Sequence, residues 1–363
     1  MKKCILFLVM LFLAVGVGCA AENDLVIESA GDMLAKGPNG EIAAPASEVE
    51  LTGDEIGKIR AGKYKAALIW AGSGEWYNAM TEGARSVFGE LGIEVVTVSD
   101  AAFDPAKQAT DIETTLALRP DIVLTLPVDP VSGTQVYKPV VDAGITLVFA
   151  DHGVDNYEAG KQYVSIVTGD QFGMGRAAAD LAAEASGGEG EIGMVWYDVS
   201  YFVTNNRDQE FERTIASKYP NLKIVSKMGF TEENATEAPT AAMILTNPNI
   251  KVIYCSWDTA AEGVLAALRA AGRNDVKVVT YDLGATNCLD MVRDGNFFGT
   301  VCDLPFDIGA TMARIAAGNL IDKPAKPYYV VGLIKVDKEN IAEAWKRSLN
   351  KDLPTNISGA IKK

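Results

Sequence analysis

From Lys63 onward the chain alternates short, unbroken apolar runs with longer stretches whose apolar residues recur every three to four positions. Unbroken runs such as Ile122-Val123-Leu124 and Val252-Ile253-Tyr254 suit parallel strands buried on both faces, where no solvent side calls for polar residues. The longer stretches suit amphipathic helices packed on such sheets. The runs predict strands at 65–71, 93–98, 121–127, 145–150, 191–197, 223–228, 251–256, 276–281 and 297–302. Residues 76–91 place Trp76, Met80, Ala84, Val87 and Leu91 on one helical stripe, and Asp104-Pro105 offers an N-cap followed by proline in the first turn. Alternation of this kind defines an α/β protein with parallel sheets.

The pattern occurs twice. Gly92-Ile93-Glu94-Val95-Val96 returns 129 residues later as Asn221-Leu222-Lys223-Ile224-Val225. Pro120 opens a strand ending before Asp129, and Pro248 opens one ending at Asp258. Ala143-Gly144 leads to Asp151-His152-Gly153, as Ala271-Gly272 leads to Asp282-Leu283-Gly284. Three units in one order predict two similar three-layer lobes. Ligands of open α/β sheets sit at the carboxyl ends of the strands, where this chain carries Asp129, Asp151, Asp258, Asp282 and Asp303. Two lobes facing one another would gather these carboxylates in a cleft, a common place for a small ligand.

Composition narrows the chemistry. With 33 basic and 48 acidic residues in 363, the formal charge is −15, which argues against nucleic acid as a partner because phosphate binding needs clustered Lys and Arg. One histidine and five cysteines without Cys-x-x-Cys leave little for a zinc site or a histidine-based triad. No cofactor, metal or catalytic residue is expected.

The N-terminus reads as an export signal: Lys2 and Lys3, then an apolar run from Ile5 to Val17, then small residues. Gly16-Val17-Gly18-Cys19 resembles a bacterial lipobox, with Gly16 where a larger apolar residue is usual; residues 1–18 would then be removed and Cys19 acylated. Ordinary cleavage after Ala20 or Ala21 is the alternative reading. Residues 22–62 hold nine acids and three bases among Gly, Pro and Ala, so 19–62 is expected to be an acidic, solvated spacer. It ends in a short helix, because Thr52-Gly53-Asp54-Glu55 fits a capping box.

Several motifs in order resemble the type I periplasmic binding proteins of ABC transporters, in the ribose-binding branch. They are Trp76-Tyr77 after the first strand, Phe149-Ala150-Asp151, Asn205-Asn206-Arg207 ahead of Phe211, and Ser256-Trp257-Asp258. Thr280-Tyr281-Asp282 and Cys302-Asp303-Leu304-Pro305 complete the set. The resemblance implies lobes joined by a three-segment hinge, with crossings near Thr168, Asp303 and Tyr328. The N-terminal lobe would be 63–167 plus 304–327, and the C-terminal lobe 168–303 plus 328–363.

It also implies site roles. Trp76, Tyr77 and Trp257 would stack on the apolar face of a sugar; core positions on an amphipathic helix are the structural alternative for the first two. Asp151 and Asp282 would each accept from two adjacent hydroxyls, as an ionised carboxylate can; capping of the following helices is the structural alternative. Arg207 would offer forked donors, or make a surface ion pair. Asp258 would bind ligand or cap its helix. His152 and Asp303 stand where the ribose branch has Arg and Gln, so a sugar phosphate or sugar acid is disfavoured and a neutral sugar or polyol expected. The expected function is a non-enzymatic, monomeric, exported solute-binding protein that hands its ligand to an ABC permease. A ligand-sensing receptor of the same fold and, remotely, an exported glycosidase are the alternatives. Cys255, Cys288 and Cys302 read as buried thiols, with a Cys288–Cys302 disulfide left open.

Overall fold

The computed structural model describes residues 25–27 and 36–361. The signal segment 1–18 and Cys19 lie outside the described residues. Among the described residues no helix is long and apolar enough to cross a membrane.

Among the described residues thirteen strands form two sheets. The first sheet contains β1 (Ala44–Pro45), β2 (Lys65–Trp70), β3 (Glu94–Asp100), β4 (Ile122–Thr125), β5 (Thr146–Ala150), β6 (Ser165–Gly169) and β12 (Tyr328–Val331). The second contains β7 (Gly190–Tyr197), β8 (Leu222–Phe230), β9 (Ile250–Cys255), β10 (Lys277–Tyr281), β11 (Phe297–Cys302) and β13 (Ile334–Val336). Their orders are β1-β12-β6-β5-β4-β2-β3 and β13-β11-β10-β9-β7-β8. The five-strand core 6-5-4-2-3 of one sheet thus reappears as 11-10-9-7-8 in the other, and all pairs inside both cores are parallel. This is the duplication that the motif spacing anticipates. All nine predicted strands form, with ends moved by a few residues; β1, β6, β12 and β13 escaped the reading because they are short or lie at the crossings.

Two boundaries differ from the expected lobes. The first crossing follows Gly169, because β6 is bonded to β5 and β12 over its whole length. The last follows Val331, so Tyr328–Val331 belongs to the first sheet and only Ile334–Val336 joins the second. The N-terminal segment is also more than a solvated spacer. Ala44–Pro45 extends the first sheet beside β12, and Ile27 exchanges backbone hydrogen bonds with Leu333 at the last crossing. The capping box at Thr52 and Glu55 forms as read and starts the helix Gly53–Gly62.

The helix Glu75–Leu91 buries Met80, Ala84, Val87 and Leu91 and leaves Trp76 half-buried at its first turn. It packs on the helix Pro305–Asn319 through two glycines. A Cβ at Gly83 would stand 2.0 Å from the Phe306 carbonyl oxygen, and one at Gly309 the same distance from that of Met80. Only bare Cα positions permit this approach. The approach sets the start of one helix, with Trp76, beside Asp303, two residues ahead of the other.

Candidate functional site

The two halves build their strand ends alike. Asp151 follows β5 and Asp282 follows β10, each with a left-handed backbone (φ +59° and +67°). Each donates its backbone N–H to the neighbouring strand: Asp151 to the Val167 oxygen at 3.0 Å and Asp282 to the Val301 oxygen at 2.9 Å. Aspartate is among the few residues that tolerate this conformation. Neither carboxylate caps a helix; Asn287 serves Gly284, which opens the helix after Asp282. The first strand-end candidate, Asp129, does cap its helix through Val131 and Ser132.

The structure brings Trp76, Tyr77, Asp151, Arg207, Asp282 and Asp303 to one cleft between the lobes. Asp151 accepts from Thr168 Oγ1 at 2.8 Å and interacts with Arg207 and Asp282 across the gap. Asp303 accepts from Trp76 Nε1 at 2.9 Å and adjoins Asp282 and Asp151. Arg207 is buried, so it is no surface ion pair. It donates through Nη2 to the Ser256 carbonyl at 2.6 Å, lies 4.4 Å over the Tyr281 ring, and reaches Asp282 at 3.9 Å. A further carboxylate, Asp208, shares this cation from behind the cleft and accepts from Tyr254 and Ser256.

Trp257 stands in an aromatic corner, 5.0 Å from both Tyr197 and Phe230. Its Nε1 donates to Glu233 at 2.6 Å, which fixes the indole's orientation. Asp258 is the first residue of the helix Asp258–Ala270 rather than its N-cap, which is Trp257. His152 is buried and edge-on to Tyr201 at 4.7 Å, a ring contact from the first lobe to the second. Tyr201 and Glu233 were not anticipated. The duplication held a signal for Tyr201: Tyr201-Phe202 follows β7 as Trp76-Tyr77 follows β2, an aromatic pair at the same topological place in each half. Cys255, Cys288 and Cys302 are all buried free thiols, with no bridge between the last two.

Charge in this cleft is lopsided. Burial pushes Asp151 up to about 6 against the pull of Thr168 and Arg207. Burial, with Asp282 and Glu233 nearby, pushes Asp258 up to about 7. Asp282 and Asp303 are also raised by burial, Asp303 well above the usual carboxylate range with Asp282 and Asp151 beside it. Asp208 is lifted to about 6. His152 is driven by burial to about 4, opposed by the Pro127 carbonyl and Asp129, and is neutral at pH 7. One guanidinium therefore faces several carboxylates.

A pH dependence follows. A carboxyl with pKa near 4 unfolded and near 6 folded binds more protons in the native state between those values, so its burial costs stability as pH rises through that window. His152 has the opposite sign between about 4 and 6.5, but it is one group against five carboxyls. Surface acids held low, such as Glu55, are already ionised above pH 5. Urea unfolding of the ligand-free protein is thus expected to give a free energy that declines from pH 5.5 to pH 7.5. A rise over that interval would contradict the burial of these acids.

Paired sheets, a hinge of three segments and a polar cleft edged by aromatic rings define a two-lobed solute-binding protein. Residues 66–324 match the periplasmic binding protein domain, and the chain belongs to that family. The ribose import binding protein of Salmonella typhimurium is 23% identical over 299 residues, covering 82% of this chain and 99% of that protein. The D-allose-binding periplasmic protein of Escherichia coli is 30% identical over 198 residues, covering 51% of this chain and 62% of that protein. Among solved structures, an ABC transporter solute-binding protein from Agrobacterium vitis bound with α-D-tagatopyranose superposes with a TM-score of 0.71 at 22% identity, covering 78% of this chain and 99% of that one. One from Actinobacillus succinogenes with bound D-allose gives 0.69 at 24% identity, covering 77% and 100%.

Proposed function

We propose that this chain is an exported solute-binding protein that closes its lobes on a neutral sugar or polyol and presents it to an ABC permease. The observation that carries the reading is the convergence of Asp151, Arg207, Asp282 and Asp303 with Trp76 from both lobes and the hinge. Ionised carboxylates accept two hydroxyl protons each, a guanidinium donates in a fork, and indole faces bury the C–H side of a pyranose ring. The excess of acid over base disfavours phosphorylated and acidic sugars, which would set like charges together in a poorly hydrated space. The sugar-binding and sugar-import names of the relatives support the same class of ligand. The hinge suits closure by rotation of one lobe against the other.

The test is a thermal-shift and fluorescence screen over pentoses, hexoses and polyols. A true ligand at 100 times its Kd stabilises the native state by about 2.7 kcal/mol, a readily measured rise in Tm. Trp76 and Trp257 at the cleft are expected to report the same titration as a change in tryptophan emission. A sugar that raises Tm without altering emission would move these indoles away from the ligand. Anchoring through Cys19 is part of the proposal: Cys19→Ser is expected to shift the protein from the membrane fraction to the soluble one. Unchanged fractionation would favour ordinary cleavage.

A further inference from the structure

Asp303 differs from the other carboxyls of the cleft in having no cation of its own. It follows β11, whose Val301 carbonyl accepts from the Asp282 backbone N–H at 2.9 Å. On its other side lies Gly169, where a Cβ would stand 2.9 Å from Asp303 Oδ2, and the preceding Thr168 donates to Asp151 Oδ1 at 2.8 Å. The backbone therefore sets this side chain between Asp282 and Asp151. Only 4% of the residue is exposed, and among the described residues no lysine or arginine nitrogen lies within 4.0 Å of its carboxyl. Oδ1 accepts from Trp76 Nε1 at 2.9 Å. Oδ2 meets no donor among the described residues, yet it is not sealed from solvent.

The charged groups around Asp303 are already engaged. Arg207, from the helix Phe202–Lys218, faces Asp282 at 3.9 Å and directs Nη2 to the Ser256 carbonyl. Arg347 of the helix Ile341–Leu349 pairs with Asp307 at 2.6 Å, and Glu75 pairs with Lys351 at 2.9 Å. Asp170 caps its helix through the Gly173 N–H, and burial keeps the neighbouring Cys302 thiol neutral. A buried carboxyl flanked by two others and lacking a counter-ion takes up a proton rather than bear a desolvated charge. Asp282 has the guanidinium and Asp151 the Thr168 hydroxyl, which leaves the proton to Asp303. Burial, Asp282 and Asp151 move its titration in that direction. The cleft is also short of donors. The indole N–H groups of Trp76 and Trp257 are spent on Asp303 and Glu233, and Arg207 Nη2 on Ser256. Sugar oxygens need donors as well as acceptors; an ionised carboxylate offers no proton, whereas a neutral carboxyl offers one.

We propose that Asp303 works as a neutral carboxylic acid, accepting from Trp76 through Oδ1 and donating its Oδ2 proton to an oxygen of the bound sugar. The role rests on the sugar-binding reading and deepens it. It ties affinity to a single proton held between β11 and the helix Pro305–Asn319. Once alkaline pH removes that proton, a charge faces the ligand where a donor stood, and binding weakens.

The experiment is calorimetry with the pentoses, hexoses and polyols of the screen, run from acid to alkaline pH, with melting curves to establish that each variant is folded. For a sugar that binds the parent protein, affinity is expected to fall by about tenfold per pH unit beyond the titration of Asp303, with one proton taken up on binding. Asp303→Asn keeps a donor and an acceptor but cannot ionise. It is expected to lose this alkaline limb and to bind more tightly than the parent at the alkaline end. Trp76→Phe removes the N–H that favours the ionised form, so the limb is expected to move to higher pH. Infrared difference spectra of the sugar-bound protein at neutral pH, parent minus Asp303→Asn, are expected to carry the C=O band of a protonated carboxyl. A carboxylate band in its place, a parent affinity that stays level or rises to the alkaline end, or a limb that survives in Asp303→Asn overturns the neutral acid while the sugar reading stands. Should Asp303→Asn fail to fold, an unmoved limb in Trp76→Phe does the same. If no sugar binds at any pH, the sugar reading itself falls and takes the role of Asp303 with it.

Discussion

Replacing Arg207 by methionine is expected to lower stability by about 3–5 kcal/mol and to abolish sugar binding, because the change leaves buried carboxylates without their cation. Arg207 is bonded to the Ser256 carbonyl, stacked on Tyr281 and paired with Asp282, and it also offsets Asp208. Methionine matches much of the hydrocarbon stem but supplies neither charge nor donors. Arg207→Lys keeps the charge without the planar fork; it is expected to recover most of the stability and little of the affinity. Urea unfolding and calorimetry on both variants check this. A methionine variant as stable as the parent would mean that the acids around Arg207 are neutralised in some other way.

Asp282→Ala is expected to behave in the reverse manner, leaving stability equal or higher while reducing affinity by roughly 10²–10⁴-fold. Two hydrogen bonds from sugar hydroxyls to a carboxylate contribute roughly 1.5–3 kcal/mol each, and about 1.4 kcal/mol is tenfold in Kd. The stability side follows from desolvation, which raises the Asp282 carboxyl above its ordinary range against the pull of Arg207, its closest cation at 3.9 Å. Removing it relieves that cost, and Arg207 keeps Asp208 as counter-ion. A variant that binds the parent's ligand with unchanged affinity would take Asp282 out of the site. A variant that unfolds would make it a structural residue instead. The contrast between the two substitutions separates a group that holds the cleft together from one that grips the ligand.

The positions of cleft residues were legible in the sequence where they follow strand ends and not where they depend on neighbours from distant segments. Asp151 and Asp282 were legible because each ends an apolar run in matching halves of a duplicated pattern. Asp258, the counterpart of Asp129 in the other half, was read as either ligand or cap; it lies three residues beyond β9, begins a helix against Gly284 and shares its space with Glu233. Glu233 gave no local signal at all; it matters because its chain position brings it under the Trp257 indole. Residues 22–62 looked unstructured by composition, but the edge of the first sheet offers β1 a partner in β12, which arises almost 300 residues later.

The sequence by itself determined the alternation of strands and helices, the two matching sheets, and the aspartates and aromatic pairs at the strand ends. Those features depend on periodicity and on residue preferences within a few positions, which every segment carries locally. Only the tertiary structure decided that Trp76 meets Asp303 across 227 positions, that Arg207 is buried among carboxylates, and that the chain changes lobes after Gly169 and Val331. These facts depend on the packing of distant segments, above all the glycine-mediated approach of two helices and the facing of the lobes. No local pattern encodes such contacts, because their partners come together only when the chain has folded.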